Sequence, residues 1–415
     1  VFNGPVTVTL TAENPNAVIR YTTDESYPTA DSPVYTGPII LTESTRIRAI
    51  AVEDDVGGLP YEALYWIINS EGNLTIPSSV TGIGDNAFEG CSGLKSVTMP
   101  SSVTSIGECA FSGCSGLKSV TIPSRVTRIE RSVFSGCTSL ESVTIPSSVT
   151  SIGECAFYGC SGLKSVTIPA SVMSIRPQAF EGCSGLESVT ISSCAMNLPH
   201  TFPSAYGRIK EVVIFDGVTS IGDNAFDGCS GLESVAIPSS VTSIGSFAFN
   251  NCSGLQSVTI PSNVSSIGNW AFYGCCSLSG ITVDENNPVF CSEDGILYNK
   301  SKTKILQCPA GKRGAVTIPS SVTSIAFSAF YGCSGLESVT IPSSVTNIES
   351  YAFEGCSGLE SVTIPSCVMH LSSTFPSAYT RIRKVVICDG VASIASSAFS
   401  GCSGLQSVTI PSSVT

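Results

Sequence analysis

GCSGLKSVTIP, residues 113–123, decides the architecture, because it returns as GCTSLESVTIP at 136–146, GCSGLKSVTIP at 159–169 and GCSGLESVTIS at 182–192. Cys91, Cys114, Cys137, Cys160 and Cys183 are each 23 residues apart, Cys229, Cys252 and Cys275 resume in phase, and Cys333, Cys356 and Cys402 follow an insertion. Segments equivalent to SVTIP run from Leu74 to Ile410 and number about fifteen. Self-similarity at such a period marks a solenoid: one unit cannot bury its apolar face alone and must stack on its neighbours.

Within one unit Leu94, Val97 and Met99 are apolar while Lys95, Ser96 and Thr98 are polar, a spacing of three then two. That is the spacing of a leucine-rich-repeat strand. Pro100 ends it, since proline cannot donate to a ladder. Val103 and Ile106 open a second short apolar segment and Gly107 marks a corner. Ala110 and Phe111 follow with helix-like or 3₁₀ spacing, and Gly113 with Cys114 closes the coil. The expected fold is mainly β: a small antiparallel sandwich at 1–68, then a leucine-rich-repeat solenoid of parallel strands at 69–415, interrupted by an insertion at 284–313.

The element AFxGC recurs in phase as AFEGC, AFSGC, AFYGC and AFDGC. On these residues the stretch from about 71 to 415 resembles the BspA-like leucine-rich repeats of secreted bacterial and protist surface proteins. The insertion also looks like a segment that interrupts such arrays. The resemblance implies an adhesin or a surface binding protein, with a ligand that differs among members. Two units depart from the pattern, SCAMNLPHTFPSAYGRIKEVVIFDG at 193–217 and SCVMHLSSTFPSAYTRIRKVVICDG at 366–390, and each copies the other. Their strands stay in phase, which puts the change in the outer part of the coil and points to duplication of a larger block.

Residues 1–68 lack the period and alternate apolar with polar in VTVTLTAE, AVIRYTTD, TRIRAIAVE and EALYWII between turn signals. This segment is similar to the immunoglobulin-like module related to the C-terminal domain of chitobiase-type hexosaminidases. That family usually has Gly after TTD; Glu25 stands here, so a different turn is expected. The resemblance implies an extracellular accessory role without catalysis. Trp66, Ile67 and Ile68 are placed to cover the open edge of the first repeat.

Charge narrows the partners. A net charge of −12 with only 13% charged residues opposes binding to nucleic acid or acidic membranes, and no apolar run is long enough to span a bilayer. No basic-then-apolar leader precedes Val1, and Val1 in place of an initiator Met reads as a mature or trimmed chain, as does the final repeat, which stops part-way. Nineteen cysteines invite a disulfide or metal reading, but eleven share one repeat phase and should form a buried column of free thiols whose side chains run parallel. Cys291 with Cys308 is the best disulfide candidate. No zinc spacing appears, and no cofactor is expected.

The exposed position after the leading Leu reads Lys118, Glu141, Lys164, Glu187, Lys210 and Glu233. It forms a stripe that neutralises itself rather than presenting one sign to a ligand. His200 with Tyr206 and Arg208, and His370 with Tyr379 and Arg381, lie in the aberrant units; they are either a surface bulge or a recognition patch. Lys300, Lys302, Lys304, Lys312 and Arg313 make a basic cluster in the insertion, either an edge-protecting charged hairpin or a contact for an acidic partner. DENNP at 284–288 reads as a turn, not a calcium loop. The leading expectation is a non-catalytic, secreted or surface-attached protein, adhesin-like, that engages a host or matrix protein, or a glycan, through its curved repeat face. The alternative is a structural spacer displaying the N-terminal module, and neither reading fixes the oligomeric state.

Overall fold

The computed structural model describes residues 1–53 and 56–415. It is a mainly β protein, a solenoid of about fifteen turns with a period of roughly 23 residues behind a small N-terminal β module. Among the described residues, helix is confined to single turns at Leu198–Thr201 and Leu371–Thr374 and a 3₁₀ turn at Ser193–Ala195. The chain forms two compact units, Val1–Val189 with Thr201–Ala205, and Thr190–His200 with Tyr206–Thr415.

In the first unit, Val18–Thr22, Thr45–Glu53 and Tyr61–Tyr65 make an antiparallel sheet, and Val6–Val8 pairs with Ile39–Leu41. Between them Val8, Leu41, Ile47 and Ile67 form a small core. One pairing departs from the antiparallel expectation: Phe2–Asn3 lies parallel to Ile67–Ile68. Glu25, where the family usually has glycine, has a φ of 68°, the left-handed geometry that glycine adopts without cost. The Glu25 carboxylate accepts the Ser79 hydroxyl at 2.6 Å, tying the module to the first repeat.

The repeats of this unit build three parallel ladders. The first runs through Asn73–Thr75, Ser96–Thr98, Ser119–Thr121, Ser142–Thr144 and Ser165–Thr167. The second joins the Ser-Ile pairs, such as Arg128–Ile129 with Ser151–Ile152 and Ser174–Ile175. The third lies where the spacing reads as helix-like or 3₁₀; single i→i+3 turns form there, as from Ala110 to Gly107, without building a helix. Cys109, Phe111 and Gly113 donate their N–H groups to the carbonyls of Arg131, Val133 and Ser135 in the next coil, at 3.0, 2.9 and 2.7 Å. Cys109 has φ 56°, which breaks any helical run, and intervening residues bond within their own turn, as Ser112 does to Cys109.

Stacked identical coils bring identical side chains together. Phe88, Phe111, Phe134, Phe157 and Phe180 are fully buried and stack with centroids 5.1–5.6 Å apart. Trp66 closes the start of this column edge-on to Phe88 at 5.2 Å, so the N-terminal segment covers the first coil. At Gly107 a β-carbon would lie 2.6 Å from the Asp85 nitrogen of the preceding coil, so this coil needs glycine at its corner, while Glu130 and Arg176 take the same position in later coils.

The cysteine column is buried in nine of its eleven places; Cys91 and Cys402, at its ends, are half-buried. Seven of these thiols have a role the spacing did not disclose. Cys114 donates to the Phe88 carbonyl at 3.1 Å, and Cys137, Cys160, Cys183, Cys252, Cys275 and Cys356 repeat the bond to Phe111, Phe134, Phe157, Phe226, Phe249 and Phe330. Loss of solvent drives the thiols' pKa up, to about 12 at Cys137, Cys183, Cys229 and Cys275.

In the second unit the ladders continue as separate blocks. Ser257–Ile260 pairs with Gly280–Val283, and Gly314–Thr317 leads a run through Leu336–Thr340, Ser361–Ile364, Lys384–Ile387 and Ser407–Thr409. The insertion replaces a coil. Phe290–Glu293, Ile296–Asn299 and Lys304–Gln307 form an antiparallel meander whose last strand turns parallel to Ser324–Ile325. Cys291 and Cys308 are not joined, because Ile296–Asn299 lies between their strands and keeps them about two strand spacings, roughly 10 Å, apart. Cys291 donates instead to the Asn299 carbonyl at 3.2 Å.

DENNP does turn the chain, but Asn287 is also a plug. It is wholly buried, donates to the carbonyls of Pro261 and Val264 at 2.8 Å, and accepts from the N–H groups of Val289 and Phe290 at 2.9 and 2.8 Å.

Candidate binding groove

The insertion opens a gap on one side of the second unit. The Ser-Ile ladder ends at Ser266–Ile267, and a fresh ladder starts with Lys304–Gln307 beside Ser324–Ile325. Between the two blocks lies a cavity of about 270 Å³. Ile267, Asn269 and Trp270 stand on one wall, with Lys304, Gln307 and Phe327 on the other. A second cavity, of about 660 Å³, adjoins it; Glu349 lines both, and Tyr351, Glu354 and His370 line the second.

An aromatic cluster edges this groove. Trp270 stacks on Tyr273 at 5.0 Å and lies 24° from parallel with Phe327 at 6.0 Å. Phe247 lies 5.5 Å from Trp270, Tyr331 lies 4.8 Å from Tyr273, and Tyr351 meets Phe327 edge-on at 5.6 Å. The tyrosine hydroxyls of 273 and 331 are 3.1 Å apart; that bond, more than burial, pushes the Tyr331 pKa up to about 12. Although aromatic, the cluster is not all core: Phe327 is 39% and Tyr351 61% exposed.

These rings occupy a particular slot. In phase with Cys109, the positions Asn86, Ser132, Cys155, Gln178, Asn224, Phe247, Trp270, Ser328, Tyr351 and Ser397 all have φ between 54° and 63°. Left-handed backbone costs a non-glycine residue about 1–2 kcal/mol, with Asn the best tolerated and bulky side chains the least. Most of the slots hold small or amide side chains. Phe247, Trp270 and Tyr351 are the exceptions, and they gather around the groove.

Polar groups complete it. Lys304 and Glu349 pair at 2.7 Å, each about one-third exposed. The Lys304 hydrogen bond, reinforced by the Phe327 N–H at 2.9 Å, holds the Glu349 carboxyl below its ordinary range. The buried Ser328 hydroxyl has no hydrogen-bond partner among the described residues. It lines a small space of about 20 Å³ together with Trp270, Gln307 and Tyr331. Among the described residues no group of His, Cys, Asp and Glu could hold a metal ion, and no helix is long and apolar enough to cross a membrane.

The sequence profile of the BspA type leucine rich repeat region matches 59–187, 138–201, 199–311 and 307–415, in six copies. The chain belongs to the BspA-type leucine-rich repeat family. In this BspA-type chain residues 1–58 also match the chitobiase/beta-hexosaminidase C-terminal domain. Among solved structures, the repeat chain is similar to a leucine rich cell surface protein from Faecalibacterium prausnitzii A2-165, 28% identical over 92% of this chain and 96% of that one, with a TM-score of 0.44. It is also similar to a leucine-rich repeat protein from Bacteroides ovatus ATCC 8483, 27% identical over 91% and 89%, with a TM-score of 0.46. Among curated proteins no sequence matches.

Of the residues the repeat pattern singled out, His370 and Lys304 face this BspA-type groove, while the others lie elsewhere. Lys300 donates to the carbonyls of Glu285 and Asn287, Lys302 pairs with Glu293 at 3.1 Å, and Lys312 pairs with Asp294 at 3.0 Å. The insertion's lysines thus meet oxygens of their own chain. Tyr206 packs its ring over Gly228 and Tyr379 over Gly401, where a β-carbon would come within 3.2 and 3.1 Å of the rings. His200, Arg208 and Arg381 are exposed. Trp270, Tyr273, Phe327, Tyr331 and Tyr351 were missed; for Trp270 and Tyr351, an aromatic residue in a slot otherwise given mostly to Asn, Ser, Cys and Gln was the signal that could have found them.

Proposed function

We propose that this chain is a non-catalytic binding protein of a cell surface, adhesin-like, and that it engages its partner at the aromatic groove beside the insertion. The observation that carries the reading is the set of bulky rings around that groove: Tyr351 is exposed in a strained slot, Trp270 and Phe247 stand half-buried in the same slot of earlier coils, and Phe327 is exposed beside them. Aromatic side chains that cost backbone strain and leave ring surface in water gain nothing for folding, whereas they are the usual anchors of a recognition surface. Glu349, the carboxylate that lines both cavities, also argues for binding over chemistry. Glu349 is kept ionised by Lys304, whereas a general acid needs a raised pKa and a partner placed for proton transfer.

The test is adhesion. Beads coated with the whole chain should hold to epithelial cell surfaces or purified matrix more firmly than uncoated beads, and beads coated with the Phe327→Ala, Tyr351→Ala double variant should hold less. Equal retention of coated and bare beads on every surface would remove the reading.

A further inference from the structure

We infer that the occupant of the aromatic groove is a neutral oligosaccharide, with sugar faces lying on the exposed rings of Phe327 and Tyr351 and hydroxyls reaching the polar groups beyond them. The inference rests on the binding role proposed above and names its ligand class.

Three features select a sugar. First, a pyranose has an apolar C–H face that suits the negative face of an aromatic ring, and here two exposed rings stand next to each other on adjacent coils. Second, the neighbouring surface is dense in both donors and acceptors. The second cavity carries Glu354, His370, Ser372 and Ser373 beside Tyr351, and the first carries Asn269 and Gln307. A polyol offers both kinds of group at close spacing; a proline-rich peptide, the other chain that docks on aromatic ridges, offers mainly carbonyl acceptors. Third, the Ser328 hydroxyl, more than nine-tenths buried, faces the small space between Trp270 and Tyr331 without a partner among the described residues. Such a group is costly unless something polar reaches it.

Charge then restricts the sugar. Glu349 and Glu354 line the groove, and the chain carries a net charge of −12. Sialylated or sulfated chains would meet repulsion that a neutral chain does not. From the Trp270 coil to the His370 coil is about four strand spacings, roughly 20 Å, so the site takes several linked sugars.

The experiment uses the whole chain with Trp66→Phe, so that Trp270 is the remaining tryptophan. It is titrated with gluco-, manno-, galacto- and chito-oligosaccharides, a sialylated oligosaccharide, and a proline decamer. The expected result is saturable quenching or a shift of Trp270 fluorescence by at least one neutral oligosaccharide. Affinity should fall at least tenfold in Tyr351→Ala and in Phe327→Ala, and recover in Tyr351→Trp. Both truncated rings are exposed, and an unchanged melting curve separates lost binding from lost folding. No response to any neutral oligosaccharide overturns the inference, as does binding that survives both truncations or a response to the proline decamer alone. Adhesive beads that no sugar displaces would sink the sugar while leaving the binding role. Beads that never adhere, with no sugar bound, would sink both.

Discussion

Asn287 shows how much one side chain can hold in a repeat protein. It uses both amide hydrogens and both lone pairs of its oxygen on protein partners, and so fastens the start of the insertion to the coil before it. Asn287→Ala strands two carbonyls and two N–H groups, each costing about 1–3 kcal/mol when buried and unpaired. Allowing for relaxation, a loss of about 3–5 kcal/mol is expected in urea unfolding of the second unit. Asn287→Asp should fall similarly, because its carboxylate would face the Pro261 and Val264 carbonyls. A variant as stable as the parent would show that the amide does not bear this role. Nothing in DENNP distinguished Asn287 from an ordinary turn residue, since the carbonyls it donates to, of Pro261 and Val264, lie one coil earlier. The cysteines, by contrast, could be placed inside from their phase alone, although their bond to the phenylalanine carbonyls needed coordinates.

At the scale of elements, the two regular ladders were legible because apolar residues recur every second or third position and the SVTI runs mostly end at proline. The third ladder was not, since the Ala-Phe spacing fits a helical turn and the left-handed residue that forbids one can be Asn, Ser, Cys or Trp. The groove was hidden for a related reason: Trp270 and Phe327 belong to coils separated by the insertion, and the insertion's third strand brings them together. That strand is held partly by Lys304 and Glu349. The Glu349 pKa is lower folded than unfolded, so its contribution is present above the ordinary carboxylate value of 4.5 and is lost as pH falls below it. Hydrogen exchange corrected for intrinsic rate should therefore show residues 304–307 less protected at pH 3.5 than at pH 6, and Glu349→Gln should show the weaker protection at both. The copied tyrosines give a second check. Gly228→Ala puts a β-carbon 3.2 Å from the Tyr206 ring at a φ of 69° and should cost about 1–2 kcal/mol in thermal or urea unfolding. Gly401→Ala under Tyr379 should behave alike.

Across the whole molecule, repetition turns a small residue effect into a property of the chain. A buried thiol with a pKa near 12, against about 9 when unfolded, is neutral in the folded state over a window in which the unfolded chain is already losing its proton. The folded state then binds more protons, so stability must fall as pH rises through that window, by up to about 1.4 kcal/mol per pH unit for each such cysteine. Below pH 9 the contribution is fully present. With nine phase-mates buried, even partial addition makes the alkaline limb steep, and at Cys229 the charge of Asp227 adds to the desolvation rather than offsetting it. Urea midpoints should therefore be flat from pH 7 to about 8.5 and drop sharply between 9 and 11. Cys137→Ala, which leaves a cavity but removes one titrating group, should start lower and fall less steeply. At pH 8 an alkylating reagent should modify exposed Cys276 quickly and Cys137, Cys160 and Cys183 only after denaturation. Equal labelling of all four in the native protein, together with an alkaline limb no steeper than that of the alanine variant, would mean that the coils do not share a closed interior.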